Sequence, residues 1–295
     1  MDEMTQHPES QLDAPVETEA PKNATEAPVI QSSAKAGQGV DAEAEMRRMS
    51  RRSFLWAAVA GAGVWGGLKW INTNPLDDGI VWPLRRTLEF NGDVSRNLFS
   101  ETRLAETYPL SRVEKLRING RFGLSKGFDP TTWKLTVAGL ASGEGMLLPL
   151  SAIQALPQVE IITELKCIEG WSTIVRWGGA RLSDFIAKYP PATQSGKAPD
   201  IKGNPGDLLP YVSLVTPDGG YYVGLDMESA MHAQTLLCTH MNGEPLTLEH
   251  GAPLRLVTPV KYGIKNIKRI GTLAFTAKRP ADFWAERGYD WYAGL

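Results

Sequence analysis

The sequence is poor in cysteine and histidine, and its first 46 residues carry almost no large apolar side chains. Among 295 residues there are two cysteines and four histidines. Two cysteines allow one disulfide, Cys167 with Cys238, and no Cys-x-x-Cys-His occurs, which excludes c-type haem attachment. His232, Cys238, His240 and His250 could be drawn together as a zinc set, but their spacing is not that of a zinc finger. No internal repeat is present. Lysine and arginine form no stripe interleaved with aromatics, so nucleic acid is not an expected partner.

The near-neutral net charge of -2 conceals an asymmetry. Residues 1–46 hold ten acids against Lys22 and Lys35, leaving 29 basic and 23 acidic residues in the remainder. This acidic, Pro/Ala/Glu/Gln/Ser-rich segment cannot bury enough apolar surface to offset the entropy of ordering, so 1–46 is expected to be a disordered tail. Residues 47–74 follow with MSRRSFLWAAVAGAGVWGGLKWI, in which Ser50-Arg51-Arg52-Ser53-Phe54-Leu55 leads into an apolar Gly/Ala-rich run. That layout reads as a bacterial export signal of the twin-arginine type, implying the twin-arginine machinery as a partner and a periplasmic location. No small-x-small cleavage site follows the run. Phe54 to Ile71 is at the short end for a span, with Lys69 able to snorkel and Trp65 and Trp70 suited to an interface, so the segment is also readable as a retained tether.

Residues 75–295 are expected to form the folded domain. Stretches 133–137, 159–165, 211–216, 254–258 and 267–275 have the β-branched, alternating character of strands. Short helices are expected at 152–156 capped by Ser151, at 182–189, and at 227–231 capped by Asp226. Asn242-Gly243 reads as a tight turn between strands, and 191–207 as a polar Gly/Pro loop. The order of elements favours an α+β domain dominated by mixed β-sheet.

The two cysteines differ in setting. Cys238 sits in TLLCTHM, an apolar strand-like run where a small buried thiol is usual. Cys167 stands where a strand gives way to a Gly-Trp-Ser loop, the kind of place at which a framework presents a reactive side chain. Residue chemistry alone leaves disulfide, buried thiol and functional thiolate open.

The blocks KCIEGWSTIVRWGGARLSDFI and DMESAMHAQTLLCTHMNGEPLTLEHGAPLRLVTPVKYGIKNIKRIGTLAF move that balance. They resemble the sulfite-oxidase family of molybdopterin enzymes, most closely its exported bacterial members that reduce methionine sulfoxide in proteins. The resemblance runs from about Trp133 to the end of the domain and implies a β-rich sulfite-oxidase-type fold holding molybdenum-molybdopterin. Cys167 takes the position of the thiolate ligand to molybdenum; a soft anionic sulfur suits a metal already held by dithiolene sulfur. His250, Arg255, Asn266, Lys268 and Thr216 fall on cofactor-contacting positions. The family's Asn-Asn-Phe-Tyr-Glu-type segment near the domain start has its nearest counterpart in Ser95-Arg96-Asn97-Leu98-Phe99, which makes Asn97 a further cofactor contact.

The sequence combines features of two branches. His250-Gly251-Ala252-Pro253-Leu254-Arg255 and Met241-Asn242-Gly243-Glu244-Pro245-Leu246 resemble true sulfite oxidases. Those enzymes follow the cysteine with arginine-bearing sequence, whereas Glu169 and Trp171 follow it here. A carboxylate at that place repels sulfite and costs nothing with a neutral sulfoxide. Arg176 would restore anion affinity if it turned inward. The implied reaction is oxygen-atom transfer, with a protein or small-molecule sulfoxide as substrate and Glu169 in the second shell or handling a proton. Electrons are expected from a separate membrane haem subunit. Sulfite oxidation and a non-catalytic exported binding module are the alternatives.

Overall fold

The computed structural model describes residues 42–77, 79–100 and 102–295. Most of the expected disordered tail, residues 1–41, lies outside the described residues. The chain divides into two units, one ending at Ala60 and the other Gly61–Leu295. Helix α1 (Ala42–Thr73) begins in the first and ends in the second. Its portion Arg52–Thr73 is long and apolar enough to cross a membrane. Phe54, Leu55, Trp65 and Trp70 are all exposed there, and the Lys69 ammonium lies 5.2 Å from the Trp65 ring centre.

The second unit continues with a small hairpin, β1 (Leu76–Asp77) and β2 (Ile80–Val81), and helix α2 (Trp82–Leu98), which Pro83 starts. Next come β3 (Leu135–Ala138), β4 (Met146–Leu148), α3 (Leu150–Gln154), β5 (Gln158–Lys166), β6 (Ser172–Arg181) and α4 (Leu182–Lys188). Then follow β7 (Tyr211–Val215), β8 (Tyr222–Asp226), α5 (Met227–Met231), β9 (Leu236–Met241), β10 (Glu244–Pro245), β11 (Arg255–Val257) and β12 (Thr272–Thr276).

Two five-stranded sheets organise the domain. One has the order β10-β9-β6-β5 with β11 also paired to β9; the other has the order β4-β3-β12-β7-β8. The β12–β3 pair is parallel and the other pairs in both sheets are antiparallel. The main core joins Leu135, Val137, Leu214 and Leu273 of the second sheet to Leu237 and Leu256 of the first and to Leu182, Phe185 and Ile186 of α4, all fully buried. Each such side chain stabilises the fold by about 1.5–3 kcal/mol relative to exposure.

Several expected details change. Helix α3 starts at Leu150 behind Pro149, so Ser151 lies inside it rather than capping it. Strand β12 starts at Thr272 instead of 267, because Arg269 adopts φ 51°, which an extended strand cannot hold. The α5 cap is as expected: Asp226 accepts from the Ser229 N–H at 2.7 Å. Asn242 and Gly243 take φ 55° and 88° between β9 and β10, the signature of a type I′ turn.

Candidate active site

Cys167 follows the last residue of β5, and the chain turns at once into β6. Its N–H donates to the Trp171 carbonyl at 2.8 Å, while its own carbonyl accepts from Gly170 at 3.1 Å. Gly170 has φ 87°, a conformation only glycine adopts readily, and this lets the five-residue loop close. A second segment comes close: a Cβ at Gly263 would lie 3.3 Å from the Lys166 carbonyl oxygen and 3.7 Å from the Cys167 Cα. Side chains there would push the two segments apart.

Together these segments border a cleft of about 240 Å³. Cys167, Glu169, Arg255, Asn266 and Lys268 line it, along with Arg117, Asn119, Trp171 and an aromatic wall of Phe122, Trp284 and Tyr289. The Asn119 amide approaches the Cys167 sulfur at 3.8 Å. Glu169 accepts from the Trp171 indole N–H at 3.1 Å, and the Arg117 guanidinium lies 5.1 Å from the same ring. Burial pushes the Cys167 thiol above its ordinary range and the Glu169 charge adds to this, while the Glu169 backbone N–H and Arg117 oppose it.

The cationic side of the cleft is unusually buried. Arg255 opens β11 with 2% exposure, stacks at 4.8 Å from the Trp177 ring centre, and donates to the His250 and Asn266 carbonyls. Its Nε has no partner, nor has the buried His250 Nδ1. Burial lowers the Arg255 guanidinium to about 10, and burial together with the Arg255 charge lowers the Lys268 ammonium to about 8. Burial, then the charges of Arg255 and Lys268, hold His250 below its usual range, so its imidazole is neutral at pH 7. Lys268 donates to the carbonyls of Asn119 and Gly120 and thereby fastens that segment over the cleft.

Of the eight residues singled out from sequence, five therefore share the cleft. His250 and Thr216 stand outside its lining. The Thr216 hydroxyl bonds Asp218 and Tyr221, and its side chain fills the space where a Cβ at Gly123 would clash at 2.4 Å. Asn97 lies exposed on α2, outside the cleft lining, and the asparagine beside Cys167 is Asn119. The sequence carries this signal in Asn119-Gly120-Arg121-Phe122-Gly123, an asparagine followed by an aromatic.

The other cysteine reading is resolved by geometry. Both cysteines are free. Cys238 is fully buried in a small cluster with Val175, Trp177, Leu236 and Val257, and burial raises its thiol to about 11. The zinc set does not assemble: His232 bonds the Arg103 carbonyl, His240 bonds Thr239, and no metal-holding group of three or more His, Cys, Asp or Glu occurs among the described residues.

A lone, partly buried thiol facing desolvated cations defines a protein that can hold an anionic, soft-metal cofactor. Comparison with known proteins agrees. Residues 123–284 match the family described as "Oxidoreductase molybdopterin binding domain". YedZ1 of Azospira oryzae, provisionally named a protein-methionine-sulfoxide reductase subunit, is 31% identical over 250 residues, covering 83% of this chain and 88% of that protein. The protein-methionine-sulfoxide reductase catalytic subunit MsrP of Xanthomonas campestris is 34% identical over 152 residues, which span 52% of this chain and 47% of MsrP. Among solved structures, sulfane dehydrogenase SoxCD from Paracoccus pantotrophus aligns with a TM-score of 0.42 at 16% identity, over 61% of this chain and 46% of that one.

The chain belongs to the molybdopterin-binding oxidoreductases, in the group related to MsrP and the sulfite oxidases. Its α+β architecture, one antiparallel and one mixed sheet, accompanies that family match. Among the described residues one apolar helix long enough to cross a membrane precedes this domain, the layout of a periplasmic, membrane-tethered protein. The residues present fit the cofactor. A free thiol, three cations against one carboxylate among the lining residues, and unpartnered nitrogens on Arg255 and His250 match its sulfur-held metal, phosphate and polar ring system.

Proposed function

We propose that this chain is the catalytic subunit of a membrane-linked S-oxide reductase, exported by the twin-arginine route and supplied with electrons by a membrane haem partner. The observation that carries the substrate class is the charge around Cys167. Glu169 stands at the cleft, while Arg176 is outside the lining and paired to Glu160 at 2.6 Å. A neutral sulfoxide tolerates that carboxylate and sulfite does not. Arg117, in the same cleft, is the specific feature on the side of sulfite oxidation.

Molybdopterin bound here supplies a two-electron centre able to exchange an oxygen atom. Cys167 would be its protein thiolate, and Arg255, Lys268 and Asn266, backed by His250 and Thr216, would hold its anionic and polar parts. Asn119 orients the sulfur by its amide N–H. Trp171 fixes one Glu169 oxygen by its indole N–H, leaving the other able to hold a proton at the cleft. Phe122 and Trp284 offer the apolar wall against which a methyl-sulfur group excludes water.

Steady-state assay of both directions tests the substrate class. Glu169→Gln should lower kcat toward a methionine sulfoxide by about tenfold or more with KM unchanged. The same change should lower KM for sulfite by about five- to tenfold. Wild-type turnover of sulfite with none of sulfoxide would reverse the assignment. Cofactor uptake should also depend on pH: an anion favours charged Lys268, so above about 8 binding takes up a proton and affinity falls as pH rises. Reconstitution of apoprotein at pH 7 and pH 9 reads this, and Lys268→Arg should abolish the dependence.

A further inference from the structure

Helix α2 is built with two faces. Arg85 and Gly92 are its buried residues. Arg85 donates to the carbonyls of Asp77, Tyr289 and Ala285, and Gly92 packs against Asp290 and Tyr292, where a Cβ would lie 3.1 and 3.3 Å away. On the opposite side Phe90, Val94 and Leu98 succeed one another every four residues, in one stripe, with exposures of 66%, 42% and 70%. Leu84, 49% exposed, widens the stripe near the start of the helix. Four large apolar side chains aligned on solvent are unlike the scattered exposed apolar residues that need no explanation.

The sequence around α2 indicates what covers this face. Only residues 74–81 separate it from the end of the apolar helix at Thr73. Eight residues reach at most about 29 Å when extended, and four of these are folded back in the β1–β2 hairpin. Leu76 in that hairpin is itself 70% exposed. At the beginning of α2 the Arg86 guanidinium lies 5.5 Å from the Trp82 ring centre, pairing an indole with a cation as at a headgroup boundary. The stripe is one convex helix face.

We propose that α2 lies in the membrane interface, with Leu84, Phe90, Val94 and Leu98 in the acyl boundary and its Arg85 face holding the catalytic domain. The occupant of the stripe is phospholipid. The placement has a consequence for the cleft. Arg85 is bonded to Ala285 and Tyr289, and Tyr289 with neighbouring Trp284 lines the cleft, so that wall stands about one helix diameter, 10–12 Å, from the lipid. The inference rests on the tether formed by residues 52–73 and is independent of the substrate assigned to the cleft.

Photo-crosslinking of the full chain in native membranes tests it. Phe90→p-benzoylphenylalanine places the probe on an exposed position that no buried contact uses. The expected product is a phospholipid adduct detected by mass, lost about tenfold or more when Val94→Glu and Leu98→Glu are added in the same chain. Crosslinking to a polypeptide would mean that a membrane protein covers the stripe and would overturn the proposal. So would an adduct yield unchanged by the two glutamates, or recovery of the full chain outside the membrane fraction.

Discussion

Cys167→Ser is expected to leave a folded protein whose S-oxide turnover falls by about a thousandfold or more, ~4 kcal/mol at the barrier. The side chain is partly exposed at a loop, so the substitution removes no core packing. What it removes is the soft, polarizable donor, and a serine hydroxyl is a poor replacement beside sulfur ligands. Cys238→Ser makes the internal comparison. That thiol is fully buried and donates to the His240 carbonyl at 3.0 Å, so its replacement should alter thermal stability and leave the metal signature intact. Steady-state kinetics and melting curves on the two variants separate the roles. Equal losses of activity from both would remove the distinction between them.

Lys265→Met is expected to destabilise the domain by about 3–5 kcal/mol, because it strands a buried carboxylate. Lys265 and Asp282 are 1% and 3% exposed at their side chains and pair at 2.6 Å. The lysine also donates to the Gly224 carbonyl on β8, and Asp282 accepts from the N–H groups of Gly224, Trp284 and Ala285. One ion pair thus fastens three elements: strand β8, the 263–265 turn beside Asn266, and the C-terminal segment that carries Trp284 to the cleft. Denaturant unfolding of the apoprotein measures the loss. Cofactor retention should fall with it, since both walls loosen together; a change under about 1 kcal/mol would show that the pair is dispensable.

How much of this was legible in the sequence depended on whether a signal was local. Strand β5 announced itself by the alternation in VEIITEL, and Asp226 and Asn242-Gly243 specified a cap and a turn through side-chain and backbone chemistry that tertiary contacts do not alter. Strand β6 did not: STIVRWGGAR is buried on both faces along most of its length, and a two-sided burial erases the period-2 pattern. Helix α2 was missed because its outward face is apolar and its inward face carries Arg85, the reverse of an ordinary amphipathic helix.

The candidate site divides along the same line. Cys167, Glu169, Arg255, Asn266 and Lys268 were readable because two contiguous blocks bring them with a family's order of residues. Asn119 and the aromatic wall were not: the Asn119 carbonyl accepts from Lys268 beside Cys167, and the segment carrying Trp284 is anchored by the Asp282–Lys265 pair. Those links join residues more than a hundred positions apart in one case, a relation that no window of sequence contains. Arg176, whose direction the sequence left open, pairs with Glu160 across the β5–β6 pair and lies outside the cleft lining.

Molybdenum content and sulfur coordination of the folded protein, prepared from a molybdenum-replete host, test the assignment of Cys167 most directly. About one molybdenum per chain is expected in wild type. X-ray absorption should count one sulfur neighbour fewer in Cys167→Ser, with metal content retained or reduced. Absence of molybdenum from a wild-type protein that is folded and supplied with cofactor, or a sulfur count unchanged by the substitution, would contradict it.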